Sequence, residues 1–230
     1  MSAAAAAGPR PAPGAGAPLG FLGGSFDPVH AGHLALARAA QQALGLEAVV
    51  FVPAGQPWQK SGRTPAAQRL ALLRLALAGQ AGWRIDEREL ARPGPTYTVD
   101  TAQELRAAYG AQRPLVWILG ADQLAGLPSW HRWAELPGLL HLAVAGRPGS
   151  AEPADPALLD FERRHAGTPQ DLRSEAAGRL LRIPMAPVDC SATQLRAALA
   201  GGDLAYAARW LAPGGLDHIQ RHHLYARKHG

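Results

Sequence analysis

The amino-acid sequence predicts an α/β protein with a doubly wound, Rossmann-like parallel sheet and helices on both faces. Short apolar runs bounded by glycine or proline alternate along the chain with segments of helical period. The runs EAVVFVP at 47–53 and LVWIL at 115–119 are continuously apolar, which is typical of parallel strands buried on both faces. Such sheets bind ligands at the carboxyl ends of their strands, where the strand order switches direction.

Each predicted element follows from its own local signals. Apolar runs predict strands at 19–22, 47–53, 83–90, 115–119, 139–145 and 180–185. Apolar residues at helical spacing predict helices at 31–44, 65–77, 99–109, 192–199 and 217–227. Residues 148–175 are rich in Pro, Asp and Arg and are expected to be irregular apart from a short helix.

Composition divides the chain into two parts. Residues 1–17 are mostly Ala, Gly and Pro, so we expect a disordered extension, followed by a single domain at 18–230. The extension lacks the apolar segment of a signal peptide. The single cysteine, Cys190, excludes an intramolecular disulfide and favours the reducing cytoplasm as the compartment. No continuous apolar run reaches about 18 residues, so no membrane partner is expected.

The net charge of +5 predicts an anionic partner: a nucleic acid, a phosphorylated small molecule or a membrane surface. The 23 Lys and Arg residues are scattered, and no helix-turn-helix or base-stacking pattern accompanies them, so no nucleic-acid partner is expected. His218, His222 and His223 predict a solvated basic face rather than a metal site, because no further ligand is suitably spaced.

The segment GGSFDPVHAGH at 23–33 directly follows the first predicted strand and has the features of a phosphate-binding turn. Its glycines permit close backbone approach, and the helix beginning near His30 directs free N–H groups and a positive dipole end to the same place. His30 and His33 share one helix face, so both reach that phosphate. The segment is neither a Walker A loop nor a GxGxxG turn. On spacing alone, a turn with two solvated histidines remains the alternative.

A second segment, CSATQLR at 190–196, opens a predicted helix. Ser191 and Gln194 predict a capping box, and Thr193 and Arg196 cluster at the same positive helix end. An ordinary capped surface helix is the alternative on this pattern alone.

Both segments resemble signatures of the nucleotidyltransferase superfamily. Residues 30–33 look like its HxGH motif, and residues 190–196 look like its second motif, with Cys190 and Leu195 where isoleucine is common. Six further elements are similar, in order, to those of the bacterial nicotinate-nucleotide adenylyltransferase family: VPAGQPWQK at 52–60, DERE at 86–89, GPTYTVDT at 94–101, GAD at 120–122, SWHRW at 129–133 and RPG at 147–149. In the first of these, Trp58 and Gln59 stand where a Pro-His pair is frequent.

The resemblance implies adenylyl transfer from ATP to nicotinate mononucleotide with release of pyrophosphate. It also implies three groups of site residues. The catalytic group is His30, His33, Lys60 and Arg196; the ATP-binding group is Gly23, Gly24, Ser25, Phe26, His30, His33, Ser191, Thr193 and Arg196; the acceptor-binding group is Thr96, Asp122, Trp130, His131 and Arg147. Mg²⁺ is the expected cofactor, held mainly by nucleotide phosphates, with no protein metal site. A homo-oligomer is compatible with the sequence.

Two other functions remain open at this stage. One is an adenylyltransferase for nicotinamide mononucleotide or phosphopantetheine, although the segments 96–101 and 129–133 argue against phosphopantetheine. The other is a nucleotide-binding regulator of the same fold without turnover, which the intact His30, His33 and Arg196 oppose.

Overall fold

The computed structural model describes residues 16–57, 64–146 and 155–226. The strands within them are β1 Leu19–Gly24, β2 Ala48–Pro53, β3 Gln56–Pro57, β4 Trp83–Ile85, β5 Pro95–Thr96, β6 Leu115–Gly120, β7 His141–Gly146, β8 Ala166–Gly167 and β9 Leu180–Pro184. The α-helices are α1 Ala31–Leu44, α2 Ala66–Leu77, α3 Arg88–Ala91, α4 Thr98–Tyr109, α5 Ala121–Ala125, α6 Pro156–His165, α7 Ala192–Gly201, α8 Leu204–Trp210 and α9 Gly215–Arg221. Short 3₁₀ helices cover Leu127–Ser129, Trp133–Gly138 and Pro169–Arg173.

Seven strands form one parallel sheet in the order β4-β2-β1-β6-β7-β9-β8, and β3 pairs with β5 in a separate two-stranded sheet. From β1 the chain builds toward one edge through β2 and β4, and from β6 toward the other edge through β7 and β9. The strand order therefore switches between β1 and β6, where the connections leaving the two strands diverge. The predicted doubly wound fold is confirmed.

The sheet is buried on both faces, as its continuously apolar strands require. In β2, Val49 and Phe51 belong to one apolar cluster, which also includes residues of α1, α2 and α7 to α9. Val50 and Val52 point to the opposite face and pack in a second cluster with α4 and α6. Alternate side chains thus serve two cores, so no polar face remains for an alternating pattern to mark.

Helix α1 begins and ends where its sequence predicts, because both ends carry a cap. His30 caps the N-terminus with its side chain, and Gly45 ends the helix at a φ of 61°, a conformation that glycine adopts without strain. Its buried face consists of Leu36, Ala37, Ala40 and Leu44.

Two local predictions are wrong in detail, and some helices are missed. The strand predicted at 83–90 ends at Ile85, because Asp86 accepts hydrogen bonds from the backbone N–H and the Nε–H of Arg88 (3.0 and 2.8 Å) and turns the chain into α3. Three short helices, α3, α5 and α8, are not predicted at all. The helix predicted at 217–227 stops at Arg221, since His223 and Tyr225 adopt φ values of 50° and 63° that an α-helix excludes.

The described chain begins at Gly16, so nearly all of the predicted extension lies outside the described residues. At its end, Ala17 contacts the fold: Arg113 Nε donates to the Ala17 carbonyl over 3.1 Å and pairs with Glu47 at 2.6 Å. Among the described helices, none has the length and apolar character needed to cross a bilayer.

Candidate active site

The turn between β1 and α1 lies at the switch in strand order and carries the first group of predicted site residues. Phe26 adopts a φ of 46° in this turn, which is uncommon for a bulky residue. Its buried ring packs against Phe51 and, edge-on, against the His33 imidazole, with ring centroids 5.8 and 5.1 Å away. Burial of the ring thus holds a strained backbone in place beside the histidines.

Gly23 and Gly24 end β1 directly before this turn. A Cβ atom at Gly23 would lie 2.3 Å from Cζ2 of Trp117, and one at Gly24 would lie 3.2 Å from the Phe26 ring. Both glycines therefore have a packing reason in addition to the ligand approach that the sequence predicts.

His30 is the N-cap residue of α1, and His33 lies in its first turn. The N–H of Gly32 donates to His30 Nδ1 and the N–H of His30 donates to His33 Nδ1, each over 3.2 Å. The two imidazoles thus form a capping box, with ring centroids 3.9 Å apart. Because both Nδ1 atoms accept, this pattern assigns the proton of each neutral ring to Nε2, where it is a donor for a ligand.

Both histidines are neutral near pH 7. Burial lowers the pKa of His30 to about 4. The pKa of His33 lies well below its usual value because of burial and, second, because of the neighbouring His30. A phosphate bound beside them would favour the protonated forms, so the charge of this pair responds to an anionic ligand.

The structure brings the second predicted segment against the first. A Cβ atom at Gly32 would lie 3.6 Å from the carbonyl oxygen of Cys190, and Arg196 Nη1 donates to the Asp27 carbonyl over 2.7 Å. The N-termini of α1 and α7 therefore lie side by side at the carboxyl edge of the sheet. Each helix start supplies N–H groups and a positive dipole end, which together favour a bound anion.

Ser191 caps α7 as predicted, but only half of the predicted capping box forms. Ser191 Oγ accepts from the Gln194 N–H over 3.2 Å and donates to Gln194 Oε1 over 2.8 Å, so the glutamine side chain binds the hydroxyl instead of the serine N–H. Thr193 Oγ1 accepts from Arg196 Nη2 over 3.2 Å. Contacts to Thr193 and Asp27 thus orient the Arg196 guanidinium at the start of the helix.

Sequence reasoning missed three residues that hold the β1–α1 turn: Asp27, Arg69 and Tyr225. Asp27 Oδ1 accepts from the Tyr225 hydroxyl over 2.7 Å, and Arg69 Nη1 donates to the Ser25 carbonyl over 2.6 Å. The sequence contained a signal for Arg69, because a buried helix face rarely carries a charge without a structural reason. The residues at helical spacing from it are Leu72, Leu73 and Ala76, all buried.

Thr96, predicted to bind the acceptor, is buried in β5. Its side chain hydrogen bonds with the carboxylate of Glu89, which also accepts from Thr101 Oγ1 over 2.6 Å. Burial raises the pKa of Glu89, and the hydrogen bond from Thr101 and the charge of Arg92 act against that shift. The Thr96 hydroxyl is therefore engaged inside the protein. Its backbone N–H is engaged as well, because it pairs with β3 in a ladder where Pro57 and Pro95 have no N–H to donate. The predicted contact of Thr96 with the acceptor carboxylate thus has no free donor in this structure.

Aromatic residues join the two other acceptor segments. The rings of Tyr97 and His131 lie 4.5 Å apart at 38°, which brings the 94–101 and 129–133 segments together. Trp130 and Trp133 are both half-buried against the same apolar cluster, and the Trp133 ring also packs on Phe161 with ring centroids 5.0 Å apart. The role of Trp130 in binding a ligand stays a prediction.

Of the remaining predicted site residues, the structure describes Asp122 but neither Lys60 nor Arg147. Asp122 is exposed in the first turn of α5, directly after β6, the strand that neighbours β1. Lys60 and Arg147, together with Trp58 and Gln59, lie outside the described residues.

The donor set of the site bears on the expected metal ion. Within 16–57, 64–146 and 155–226, no group of three or more His, Cys, Asp or Glu side chains could hold a metal. The site offers nitrogen donors from His30, His33 and Arg196, whereas Mg²⁺ prefers oxygen ligands. The arrangement therefore fits a Mg²⁺ ion that is held by nucleotide phosphates.

Paired helix N-termini, two neutral imidazoles and a guanidinium at the switch point of a parallel sheet define a nucleotide-binding α/β protein of the nucleotidyltransferase type. The cytidylyltransferase-like family matches residues 21–198. A probable nicotinate-nucleotide adenylyltransferase of Laribacter hongkongensis is 48% identical over 211 residues, covering 90% of this chain and 94% of the relative. One of Stenotrophomonas maltophilia is 45% identical over 215 residues, covering 89% and 95%.

A solved structure agrees on the fold. The Plasmodium falciparum nicotinic acid mononucleotide adenylyltransferase complexed with NaAD has a TM-score of 0.71 at 15% identity, and the match covers 91% of this chain and 98% of that one. On the matches in sequence, the chain belongs to the nicotinate-nucleotide adenylyltransferase family.

Proposed function

We propose that the chain transfers the adenylyl group of ATP to nicotinate mononucleotide, giving nicotinate adenine dinucleotide and pyrophosphate. The observation that carries this proposal is the His30–His33 capping box beside Arg196, at the switch in strand order. It gathers N–H donors and positive charge where a polyphosphate would lie. Relatives up to 48% identical are named for the same activity, and a structural neighbour is complexed with NaAD.

The reaction needs no protein nucleophile, because the acceptor phosphate is already an anion. One of its oxygens forms a bond to the α-phosphorus of ATP while the bond from that phosphorus to the bridging oxygen breaks, and pyrophosphate leaves with the electron pair. The protein must align the two phosphates and stabilise the negative charge that develops.

The residues of the ATP half fit this task. His30 and His33 donate from Nε2 to phosphate oxygens, and the backbone of residues 23–26 borders them. Arg196 and Lys60 add positive charge, while Ser191 and Thr193 at the start of α7 bind the leaving pyrophosphate. Mg²⁺, held by the phosphates, neutralises part of their charge when bound.

The acceptor half must bind a flat ring that carries a carboxylate. Trp130 offers a stacking face, and the backbone N–H of His131 donates to the carboxylate. Asp122 accepts from ribose hydroxyls, and Arg147 adds positive charge near the acceptor phosphate.

The test is a pyrophosphate-release assay with nicotinate and nicotinamide mononucleotide in parallel. We expect kcat/KM to favour the nicotinate form by about a hundredfold or more, because a carboxamide turns an NH₂ donor toward a backbone N–H and leaves two buried donors opposed. Trp130→Ala should weaken both acceptors while preserving their ratio, since the rings have nearly the same shape.

Comparable kcat/KM values for the two mononucleotides would overturn the acceptor assignment. Absence of pyrophosphate release with either acceptor, from protein that still binds ATP, would favour the non-catalytic regulator instead.

A further inference from the structure

Arg69 on α2 carries a buried guanidinium, only 2% exposed, to which the proposed reaction assigns no role. Four backbone carbonyls accept hydrogen bonds from it. Nε donates to Thr64 over 3.1 Å, Nη1 to Ser25 over 2.6 Å, and Nη2 to Ala54 and Gly55 over 2.7 and 3.2 Å. A planar guanidinium has its N–H groups in a fixed fork, so it sets the directions of the carbonyls it binds.

These carbonyls belong to segments that meet at the carboxyl edge of the sheet. Ser25 lies in the β1–α1 turn, two residues before Asp27, whose carbonyl binds Arg196. Ala54 and Gly55 directly follow β2, and Thr64 lies two residues before the first residue of α2. Arg69 therefore ties the turn that carries the histidines to the connection between β2 and α2.

The same connection leads to the acceptor half. Gln56 and Pro57 form β3, which pairs with Pro95 and Thr96 of β5. A Cβ atom at Gly55 would lie 2.1 Å from the Glu89 carbonyl, so α3 packs directly against the connection. The position of β5 relative to the β1–α1 turn thus depends on a segment that contacts both α3 and one guanidinium.

We propose that Arg69 is a positioning residue that aligns the ATP half of the site with the acceptor half. This inference rests on the proposed function. In-line transfer requires the attacking oxygen and the α-phosphorus in near-contact geometry, and a displacement of about 1 Å costs on the order of a hundredfold in rate. Each half would still bind its own substrate without Arg69, but the two halves would no longer be held in register.

Arg106 on α4 provides a matched control within the chain. Its guanidinium also binds backbone carbonyls, those of Leu139, Arg113 and Ala176, over 2.9, 2.7 and 2.9 Å. These residues precede β7, β6 and β9, so Arg106 performs the same structural task at the opposite, amino edge of the sheet.

The experiment compares Arg69→Met, Arg69→Lys and Arg106→Met with the unmutated enzyme. For each, calorimetry gives the Kd of nicotinate mononucleotide and of a non-hydrolysable ATP analogue, pyrophosphate release gives kcat per folded molecule, and thermal melting gives the folded fraction. We expect Arg69→Met to lower kcat by about 30- to 100-fold with both Kd values within about threefold. Arg69→Lys should recover only part of kcat relative to Arg69→Met. The recovery is incomplete because an ammonium presents its donors from one point and cannot match four divergent carbonyls.

Arg106→Met should lower the melting temperature and leave kcat within about twofold. Three results would overturn the proposal: folded Arg69→Met with kcat within about threefold, a loss confined to the Kd values, or an equal kcat loss in Arg106→Met.

If Arg69→Met does not fold, Arg69→Lys is the deciding variant. We then expect its kcat to fall at least about fivefold, and an unchanged kcat would overturn the proposal. If the unmutated enzyme instead uses another acceptor, the proposed function fails, while the same kcat comparison with that acceptor still tests Arg69.

Discussion

At the scale of single residues, two histidines cap the N-terminus of α1, and in the proposed function the same two side chains donate to the ligand. The Nδ1 atom of each ring accepts a hydrogen bond from a backbone N–H at the start of α1. In the proposed function, Nε2 of each ring donates to the ligand. The two side chains that cap this helix end are thus the same side chains that would donate to a bound anion. Cap and donor are different atoms of the same ring, so substitutions can separate them.

We expect His33→Asn to lower kcat by two or more orders of magnitude while the melting temperature stays nearly unchanged. The asparagine Oδ1 takes the place of Nδ1 and still accepts from His30 N–H, but the Nε2 donor is lost. Removal of one preorganised donor costs about 10²–10³ in kcat in other enzymes. Pyrophosphate release and a thermal melt measure the two effects, with the exposed His222→Asn as control. Near-normal kcat in folded His33→Asn would contradict the role of Nε2.

The stability of the protein should fall in acid because of His30. Its pKa is about 4 in the folded chain against 6.5 normally, so as pH falls the unfolded chain binds the proton first. The contribution to stability is complete above pH 6.5 and is lost progressively as pH falls toward 4. Between pH 7.5 and 5, His30 should account for a decrease of about 2 kcal/mol in the free energy of unfolding.

Urea unfolding at the two pH values measures this decrease. His30→Asn keeps an acceptor for the Gly32 N–H and removes the titrating ring, so its decrease should be smaller than that of the unmutated protein. The same pH dependence in both proteins would exclude His30 as the cause.

At the scale of elements, packing behind the β1–α1 turn restricts its sequence as much as ligand approach does. The strand β1 presents Gly23 to the side of Trp117, which is buried in the neighbouring β6. Any side chain at this position would have to displace the indole within a close-packed core. The packing of β1 against β6 thus fixes the start of the β1–α1 turn and the residues that it carries.

Gly23→Ala should destabilise the protein by about 1–3 kcal/mol, because the added methyl group would lie 2.3 Å from the indole. Chemical denaturation measures the change. The matched control is Gly201→Ala at the last residue of α7, where an added Cβ atom would meet nothing within 4 Å, so the stability should not fall. A Gly23→Ala protein as stable as the parent would show that Trp117 can move.

At the scale of the whole molecule, the C-terminal end of the described chain reaches the β1–α1 turn. Tyr225, four residues after α9, donates its hydroxyl to Asp27, 198 residues away in sequence. Burial is the largest cause of the raised pKa of this tyrosine, so the hydroxyl keeps its proton near neutral pH and remains a donor. Because the Asp27 carbonyl binds Arg196, the C-terminal residues, the β1–α1 turn and α7 form one connected unit.

Tyr225→Phe should lower the free energy of unfolding by about 1 kcal/mol and reduce kcat several-fold, because Asp27 loses one hydrogen bond while the ring remains. Urea unfolding and pyrophosphate release measure both. Tyr206→Phe is the control, since its hydroxyl makes no hydrogen bond with any residue that the structure describes. Equal effects of the two substitutions would remove the Asp27 contact as the explanation.

Local sequence sufficed for most of the fold, whereas the roles of the site residues stay predictions. The bounds of α1 follow from a cap at each end, and the apolar runs of β2 and β6 mark strands buried on both faces. These signals depend on neighbours within a few residues, so a linear pattern contains them. The strand predicted at 83–90 is wrong beyond Ile85, because Asp86 and Arg88 turn the chain there. Their contacts span only two residues, so the local sequence also contained this signal.

Long-range contacts alone decide which atoms of those residues are available for chemistry. Thr96 gives its hydroxyl to Glu89, Arg69 binds the carbonyl of Ser25 44 residues away, and Tyr225 reaches Asp27 across almost the whole chain. The hydrogen-bond partner of a buried polar group is the nearest group in space that can pair with it, and chain distance does not enter that choice. A pattern along the chain can therefore name a histidine, a threonine or an arginine, but only the packed molecule assigns its donors.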